Sequence, residues 1–398
     1  MLDAYLYNGT RTPFGRNAGG LAKVRPDDLL ADLIKQVVGD SPFAAESIDD
    51  VNIGCANQAG EDSRCVARHA ALLAGLPVEV PGSVVQRNCG SGMNAIAGAA
   101  QAITCGEGEV FIAGGVESMS RAPFVVGKAE TPFAKDFRVF ESALGARFPN
   151  PLIESGFGAD TMPETADNLA REHQLSRDAC DAFAVASQSK YAAAKADGFF
   201  ADEITPVTIP GQRGKPDTVI AEDEHPRPDT SKLAALKPLV GDGVTTAGNA
   251  SGINDGAVAM IVASMTAGEA VGAKPTARIL SSAVAGVAPR IMGFGPVPAS
   301  IKALERAGLG IEDMDVIEIN EAFAAQVLAC LKGLDIAAGD SRVNPNGGAI
   351  AIGHPLGASG PRLVLTAARQ LQRSGGRYAL VSMCIGVGQG IAMVIERV

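Results

Sequence analysis

The apolar positions along the chain fall into a pattern that occurs twice. Asp50-Val51-Asn52-Ile53-Gly54-Cys55 and Asp315-Val316-Ile317-Glu318-Ile319-Asn320 each read as a short apolar strand closing on a small or polar residue. Cys55 and Cys89 are 34 residues apart, as are Asn320 and His354, so both pairs are related by one offset of 265. Each copy continues into a glycine-rich turn, Asn88-Cys89-Gly90-Ser91-Gly92 and Gly353-His354-Pro355-Leu356-Gly357. An Ala-rich helical stretch follows, 93–103 and 361–371, and then a buried strand, 110–113 and 378–381. Strand, turn, helix and strand, twice over, predict two related α/β halves with parallel strands in their sheets. Equivalent turns then face one another across a pseudo-twofold axis, which directs Cys89 and His354 to one cleft.

Residues 120–248 break the pattern. Pro123, Pro132, Pro149 and Pro151 punctuate their start, and a helical run spans 163–197 with Ser176 as an N-cap ahead of Ala179, Phe183, Ala184 and Ala186. Polar segments rich in Pro and Asp follow over 211–230. Such an insertion above a two-half core shapes a ligand site or an oligomer contact. The division read from the pattern is an N-terminal half of residues 1–119 completed by 249–270, an inserted loop domain of 120–248, and a C-terminal half of 271–398. The apolar stretch 378–395 approaches the length of a membrane span. Gly386, Gly388, Gln389 and Gly390 at its centre make two short strands joined by a glycine turn the better reading.

Composition and local sequence sharpen this picture in four ways. The 47 glycines among 398 residues are about 12%, against a usual level of roughly 7%, which points to loops that approach a ligand closely. The net charge of −10, with no Lys/Arg run, argues against nucleic-acid binding. Residues 1–20 lack the basic head and apolar core of a signal peptide, so cytoplasm is the default. Seven cysteines and four histidines show no metal-ligand spacing, so no metal site is expected.

Against that background five segments carry chemistry or suit a ligand. Cys89 sits at a strand-to-helix turn, where free N–H groups and the helix dipole favour a thiolate. The turn could instead cradle a phosphate, but Gly90-Ser91-Gly92 lacks the third glycine and downstream acid of a dinucleotide fingerprint. A thiol needs a base, and His354 on the matching turn supplies one, although a lone histidine is more often a structural hydrogen-bonder. Met383-Cys384-Ile385-Gly386-Val387-Gly388-Gln389-Gly390 adds a second thiol, whose ordinary value near 8.5 suits moving a proton on and off carbon, with glycine N–H groups to hold an oxyanion. A packed cysteine in a glycine hairpin is the plain alternative. Asn320, in Asn320-Glu321-Ala322-Phe323-Ala324, either orients a water or caps the next helix. The small-residue loop 247–256 suits a flat or extended ligand lying against backbone.

Taken together the motifs resemble the thiolase family over nearly the whole chain. They are Asn88-Cys89-Gly90-Ser91-Gly92, Gly115-Val116-Glu117-Ser118-Met119-Ser120, Gly248-Asn249-Ala250-Ser251-Gly252, Asn320-Glu321-Ala322-Phe323, Gly347 to Pro355 and Cys384-Ile385-Gly386, in the family's order. The resemblance implies a five-layered αβαβα fold of duplicated halves with an inserted loop domain. It also implies coenzyme A as substrate with no permanently bound cofactor, CoA thioesters as partners, and a homodimer that pairs into a tetramer. It makes Cys89 the acylated nucleophile, His354 its base and Cys384 the acid/base at the substrate α-carbon. Asn320, through a water, and His354 form one oxyanion hole on this reading, and the N–H groups of Cys89 and Gly386 form the other. Ser251 matches a pantetheine contact, Arg227 a position near the CoA phosphates, and Met162, Met292 and Phe323 positions lining the cleft.

Two departures stand out. Asn88 precedes the nucleophile where the family more often has an apolar residue, which is expected to change the packing or hydrogen bonds around the thiol. Val387 replaces a glycine usual in acetoacetyl-CoA thiolases, which is expected to alter the pocket beside the second oxyanion hole. Residues 54–62, 118–125 and 384–390 look most like the 3-oxoadipyl-CoA thiolases of aromatic-acid catabolism. General 3-ketoacyl-CoA and acetoacetyl-CoA thiolases share every catalytic residue and stay open. A non-catalytic carrier of the same fold should have lost one of Cys89, His354 or Cys384, and a condensing enzyme acting on carrier proteins should lack the second cysteine. A substrate ending in a carboxylate needs a cation in the pocket, for which Arg121, Arg147 and Arg290 are candidates.

Overall fold

In the computed structural model, which describes residues 2–135, 137–211 and 214–398, the repeated pattern folds around one ten-stranded sheet. The strands run in the order Val316–Ile319, Tyr378–Ile385, Gln389–Arg397, Ala277–Gly286, Ala4–Arg11, Asn254–Ala263, Val110–Ser118, Asp50–Gly54 and Ser83–Val85. Gly15–Arg16 pairs with Asn254–Ala263 at the side of this path. Asp50–Gly54 lies parallel to both Ser83–Val85 and Val110–Ser118, and Val316–Ile319 lies parallel to Tyr378–Ile385.

The strands of each repeated unit are thus parallel, as expected, and the remaining pairings in this sheet are antiparallel, so each half is mixed. The physical reason is clearest in residues 378–397. Only 386–388 separate Tyr378–Ile385 from Gln389–Arg397, too short a link for the crossover that a parallel pair requires. The apolar stretch is therefore a hairpin, as its glycines suggest. No helix among the described residues is long and apolar enough to cross a membrane.

Helices Ser91–Cys105 and Leu356–Ser374 lie between the strands of the two halves. Pro26–Gly39 and Val66–Leu73 cover the outer face of the N-terminal strands, and Pro296–Ala307 and Ala324–Gly333 that of the C-terminal strands. The layers thus alternate helix and strand five times. The two central helices are buried on most sides, which is why they are rich in Ala and Gly where a surface helix would carry a polar stripe. Their first turns interlock: a Cβ on Gly92 would stand 2.2 Å from the Gly357 carbonyl oxygen, and one on Gly115 would stand 1.9 Å from it. The second of these helices begins at Leu356, five residues ahead of the expected start, with Pro361 inside it. Pro361 has no N–H to give Gly357, so that carbonyl is left to face the other half.

Within the insertion the expected run 163–197 is two helices, Met162–Glu172 and Arg177–Ala196, separated at Gln174 with φ 53°. Ser176 caps the second, accepting a hydrogen bond from the Ala179 N–H at 3.1 Å. Two small hairpins, Phe124–Val126 with Val139–Glu141 and Val207–Ile209 with Thr218–Ile220, complete it. A fully buried cluster fastens it to the core: Arg11 donates to Glu203 at 2.6 Å and to Asp223 at 2.6 Å.

Candidate active site

Cys89 stands between the strand Ser83–Val85 and the helix beginning at Ser91, in a turn closed by Gly90 N–H to Arg87 O and Ser91 N–H to Asn88 O, both 3.0 Å. Asn88 adopts φ 45°, a left-handed conformation that asparagine tolerates better than an apolar residue. Its side-chain N–H donates to the Gly386 carbonyl at 3.2 Å, which joins the turns of Cys89 and Gly386. Burial is the largest influence on the thiol and, helped by the charge of Glu117 and opposed by the Gly386 N–H, pushes it up to about 11. This upward direction opposes the thiolate expected at a helix start, because burial disfavours the charged form.

His354 lies in the turn between Ala349–Ile352 and Leu356–Ser374, its N–H bonded to Asn254 Oδ1 at 2.9 Å. Nδ1 is 2.5 Å from the Ser359 hydroxyl, which itself donates to Pro355 O at 3.0 Å. Ser359 therefore accepts the Nδ1 proton, and Nε2 keeps its lone pair. Burial, and after it the charge of Arg362, lowers the imidazole to about 4, so it is neutral around pH 7. Asn320 Nδ2 stands 3.4 Å from Nε2, and Asn320 Oδ1 is buried without a partner among the described residues. The helix after Asn320 is capped at Phe323, so the capping role open to Asn320 is not the one it has.

Cys384, near the end of Tyr378–Ile385, packs with Met292, Phe323, Ala166, Ala250 and Ala322. Burial first, then the charges of Cys89 and Cys330, raise its thiol well above the ordinary value, which corrects the expectation of a group near 8.5. Gly386 follows at the head of the hairpin turn, and Met162 Sδ is 3.9 Å from where a Gly386 Cβ would stand. Val387, at φ 69°, is 66% exposed.

Ser251 joins this group through its N–H to Ala322 O at 3.0 Å, beside an Ala250–Phe323 bridge. Arg227 is farther out. Its N–H bonds Gln188 Oε1 at 2.9 Å, and His225, two residues earlier, packs against Gly252 beside Ser251.

Sequence reasoning assigned no role to Glu117 or Ser359. Glu117 accepts N–H bonds from Ala56, Asn57 and Gly357, each at 2.9 Å, and so ties the two halves together beneath Cys89. Burial raises it to about 7. A charged residue within the otherwise apolar run of Val110–Ser118 was the available signal; Ser359 left none. Among the described residues, no cluster of three or more His, Cys, Asp or Glu side chains could hold a metal ion.

Two buried thiols and an imidazole, set among glycine turns at the junction of duplicated α/β halves, define a frame suited to acyl transfer. The family models Thiolase, N-terminal domain, and Thiolase, C-terminal domain, match residues 5–266 and 273–397. The beta-ketoadipyl-CoA thiolase of Acinetobacter baylyi is 57% identical over 402 residues, covering 100% of both chains. The 3-oxoadipyl-CoA/3-oxo-5,6-dehydrosuberyl-CoA thiolase of Escherichia coli is 55% identical over 402 residues, again covering 100% of both. The crystal structure of Bacillus anthracis acetyl-CoA acetyltransferase superposes with a TM-score of 0.93 at 38% identity, covering 100% of this chain and 99% of its own. The chain belongs to the thiolase family and is an acyltransferase.

Proposed function

We propose that the protein cleaves 3-oxoadipyl-CoA with coenzyme A to succinyl-CoA and acetyl-CoA. The Cys89 sulfur, its proton passing to His354 Nε2, attacks the 3-keto carbon. The C2–C3 bond breaks, acetyl-CoA leaves as its enolate, and Cys384 returns a proton to C2. The succinyl group remains on Cys89 as a thioester until the CoA thiol takes it. Asn320, through a water, and His354 hold the enolate oxygen, and the N–H groups of Cys89 and Gly386 hold the oxyanion at the attacked carbon.

The observation that carries this reading is the bond from the Asn88 side-chain N–H to the Gly386 carbonyl at 3.2 Å, which joins the turns of Cys89 and Gly386, with the Gly386 N–H among the groups that lower the Cys89 thiol. The substrate is supported by full-length relatives named for it at 55–57% identity. Ser251 and Arg227 bind the pantetheine arm and the phosphates on this reading, and Met162, Met292 and Phe323 line the cleft. The N-terminal half of 1–119 completed by 249–270, the loop domain of 120–248 and the C-terminal half of 271–398 are its working units. The enzyme uses CoA as substrate without a resident cofactor, binds neither nucleic acid nor membrane, and works in the cytoplasm as a homodimer or tetramer.

A thiolysis panel tests the substrate. The catalytic efficiency on 3-oxoadipyl-CoA should exceed that on uncharged 3-oxohexanoyl-CoA by at least about tenfold, the ratio given by roughly 1.4 kcal/mol. Equal rates, or a preference for the uncharged chain, would place the protein among the general 3-ketoacyl-CoA or acetoacetyl-CoA thiolases.

A further inference from the structure

The three arginines considered for a substrate carboxylate are paired with other side chains: Arg121 donates to Glu61 at 2.9 Å, Arg147 to Asn57 Oδ1 and Arg290 to Asp160 at 2.9 Å. A fourth is tied to the reaction centre. Arg362, inside the helix Leu356–Ser374, is fully buried, and its Nη1 is 3.4 Å from Oε2 of Glu318, which is fully buried too. Glu318 stands in the otherwise apolar strand Val316–Ile319. Taking two charges out of water is expensive, and their attraction often fails to offset it, so an apolar pair of similar volume is frequently as stable. Stability of the fold therefore does not account for this pair, and the mechanism above does not use it.

The bonds around the pair form a closed circuit through the site. Glu318 and Asn320 are two apart, on one face of the strand line, and the Asn320 N–H extends that line by bonding Ser382 O at 3.0 Å. Asn320 Nδ2 stands 3.4 Å from His354 Nε2, and His354 Nδ1 stands 2.5 Å from the Ser359 hydroxyl. Ser359 and Arg362 are three apart on Leu356–Ser374, on one side of the helix. Arg362 Nη1 then returns to the strand at Glu318. Helix and strand, which pack directly on one another, are thus joined at two levels: at the imidazole and one helical turn behind it.

Charge acts along the same path. Burial first, and the charge of Arg362 second, lower His354 to about 4. Burial raises Glu318, with Arg362 and Lys190 opposing the rise and Glu321 and Glu203 adding to it. We propose that Arg362 and Glu318 are a positioning pair for acyl transfer: they hold the helix of Ser359 and the strand of Asn320 in the register that seats Asn320 on His354 Nε2, and the guanidinium opposes a proton on that nitrogen. The inference rests on the reading of His354 as the base for Cys89. A helix free to shift against the strand would move Nε2 away from Asn320, which lowers kcat and leaves binding of the CoA thioester intact.

The test measures thiolysis by the full-length enzyme on the 3-oxoacyl-CoA that the parent cleaves fastest. The variants are Arg362→Met, Arg362→Lys, the double variant Glu318→Gln/Arg362→Met, and His354→Ala, each checked by denaturant unfolding. Arg362→Met should lower kcat by at least about tenfold with KM within about threefold of the parent. Without the guanidinium a proton on His354 is less opposed, so the acid limb of kcat/KM, which follows loss of the neutral imidazole, should move to higher pH. Arg362→Lys keeps the charge and should recover the acid limb and most of kcat. Removing one partner leaves a buried charge unpaired, so Arg362→Met should lose stability; the double variant leaves neither charge and should regain it while kcat stays low. A double variant with the parent's kcat and acid limb overturns the proposal, because the pair is then a structural fastening alone. An Arg362→Met kcat within about twofold of the parent also overturns it. In both cases an inactive His354→Ala leaves the assignment of the base standing, whereas an active one overturns both.

Discussion

At the scale of single residues, the site keeps its reacting groups uncharged at rest. Cys89 rises to about 11 and His354 falls to about 4, each chiefly through burial, so a standing thiolate–imidazolium pair is disfavoured around pH 7. On the proposed mechanism the thiolate forms as the proton leaves for His354 Nε2. The account predicts that alkylation of Cys89 by iodoacetamide climbs by about tenfold per pH unit between pH 5.5 and 7.5, because only the ionised fraction reacts. Peptide mapping of the modified protein measures it, and a rate flat across that range would reveal a preformed ion pair. The lowered His354 value also sets a direction for stability. As pH falls from 6.5 towards 4 the unfolded chain takes up a proton that the folded imidazole refuses, so this group's contribution to stability is lost on acidification. Asn88 adds a chain-specific detail: it is suited to its φ of 45° and its side chain ties the nucleophile turn to the Gly386 turn, neither of which an apolar residue would do as well.

At the scale of elements, the interlocked starts of Ser91–Cys105 and Leu356–Ser374 position Cys89 and His354 relative to one another. Gly92→Ala would drive a methyl to 2.2 Å from the Gly357 carbonyl and 2.5 Å from Pro361 Cδ, so the helices must part. A loss of about 3 kcal/mol or more is expected in denaturant unfolding, or failure to fold. Gly98→Ala on the same helix meets nothing within 4 Å and should be neutral or gain about 0.5–1 kcal/mol from helix propensity. Matching losses in the two variants would contradict the close-approach argument.

The repeat of 265 residues made the strand, turn and helix of each half legible, because both copies keep the same hydrophobic period and turn chemistry. The mixed sheet was not legible: Ala4–Arg11, Asn254–Ala263 and Ala277–Gly286 lie outside the repeated unit as read, and their partners are set by tertiary contacts. Pro361 misled about a helix start because proline ordinarily marks the first helical residue. Cys89 and His354 are expected as reacting groups from their matching turns, and Cys384 from its residue type ahead of the glycine turn. Their protonation states are not legible there, because burial is a property of the fold, and Ser359 became visible only when the fold set it beside Nδ1.

At the scale of the whole molecule, Cys89 and His354 stand in turns 265 residues apart in the chain, each just ahead of one of the two interlocked helices Ser91–Cys105 and Leu356–Ser374. Glu117 joins the halves by collecting backbone N–H groups from both. The central claim is that this assembly forms a thioester on Cys89 from a 3-oxoacyl-CoA. The most direct measurement incubates the protein with 3-oxoadipyl-CoA without free CoA, quenches, and maps the peptides by mass spectrometry. A succinyl group on the Cys89 peptide, with acetyl-CoA released in equal amount, is the predicted result. An adduct on Cys384 in place of Cys89, or acetyl-CoA released with no acyl group on the protein, would contradict the account.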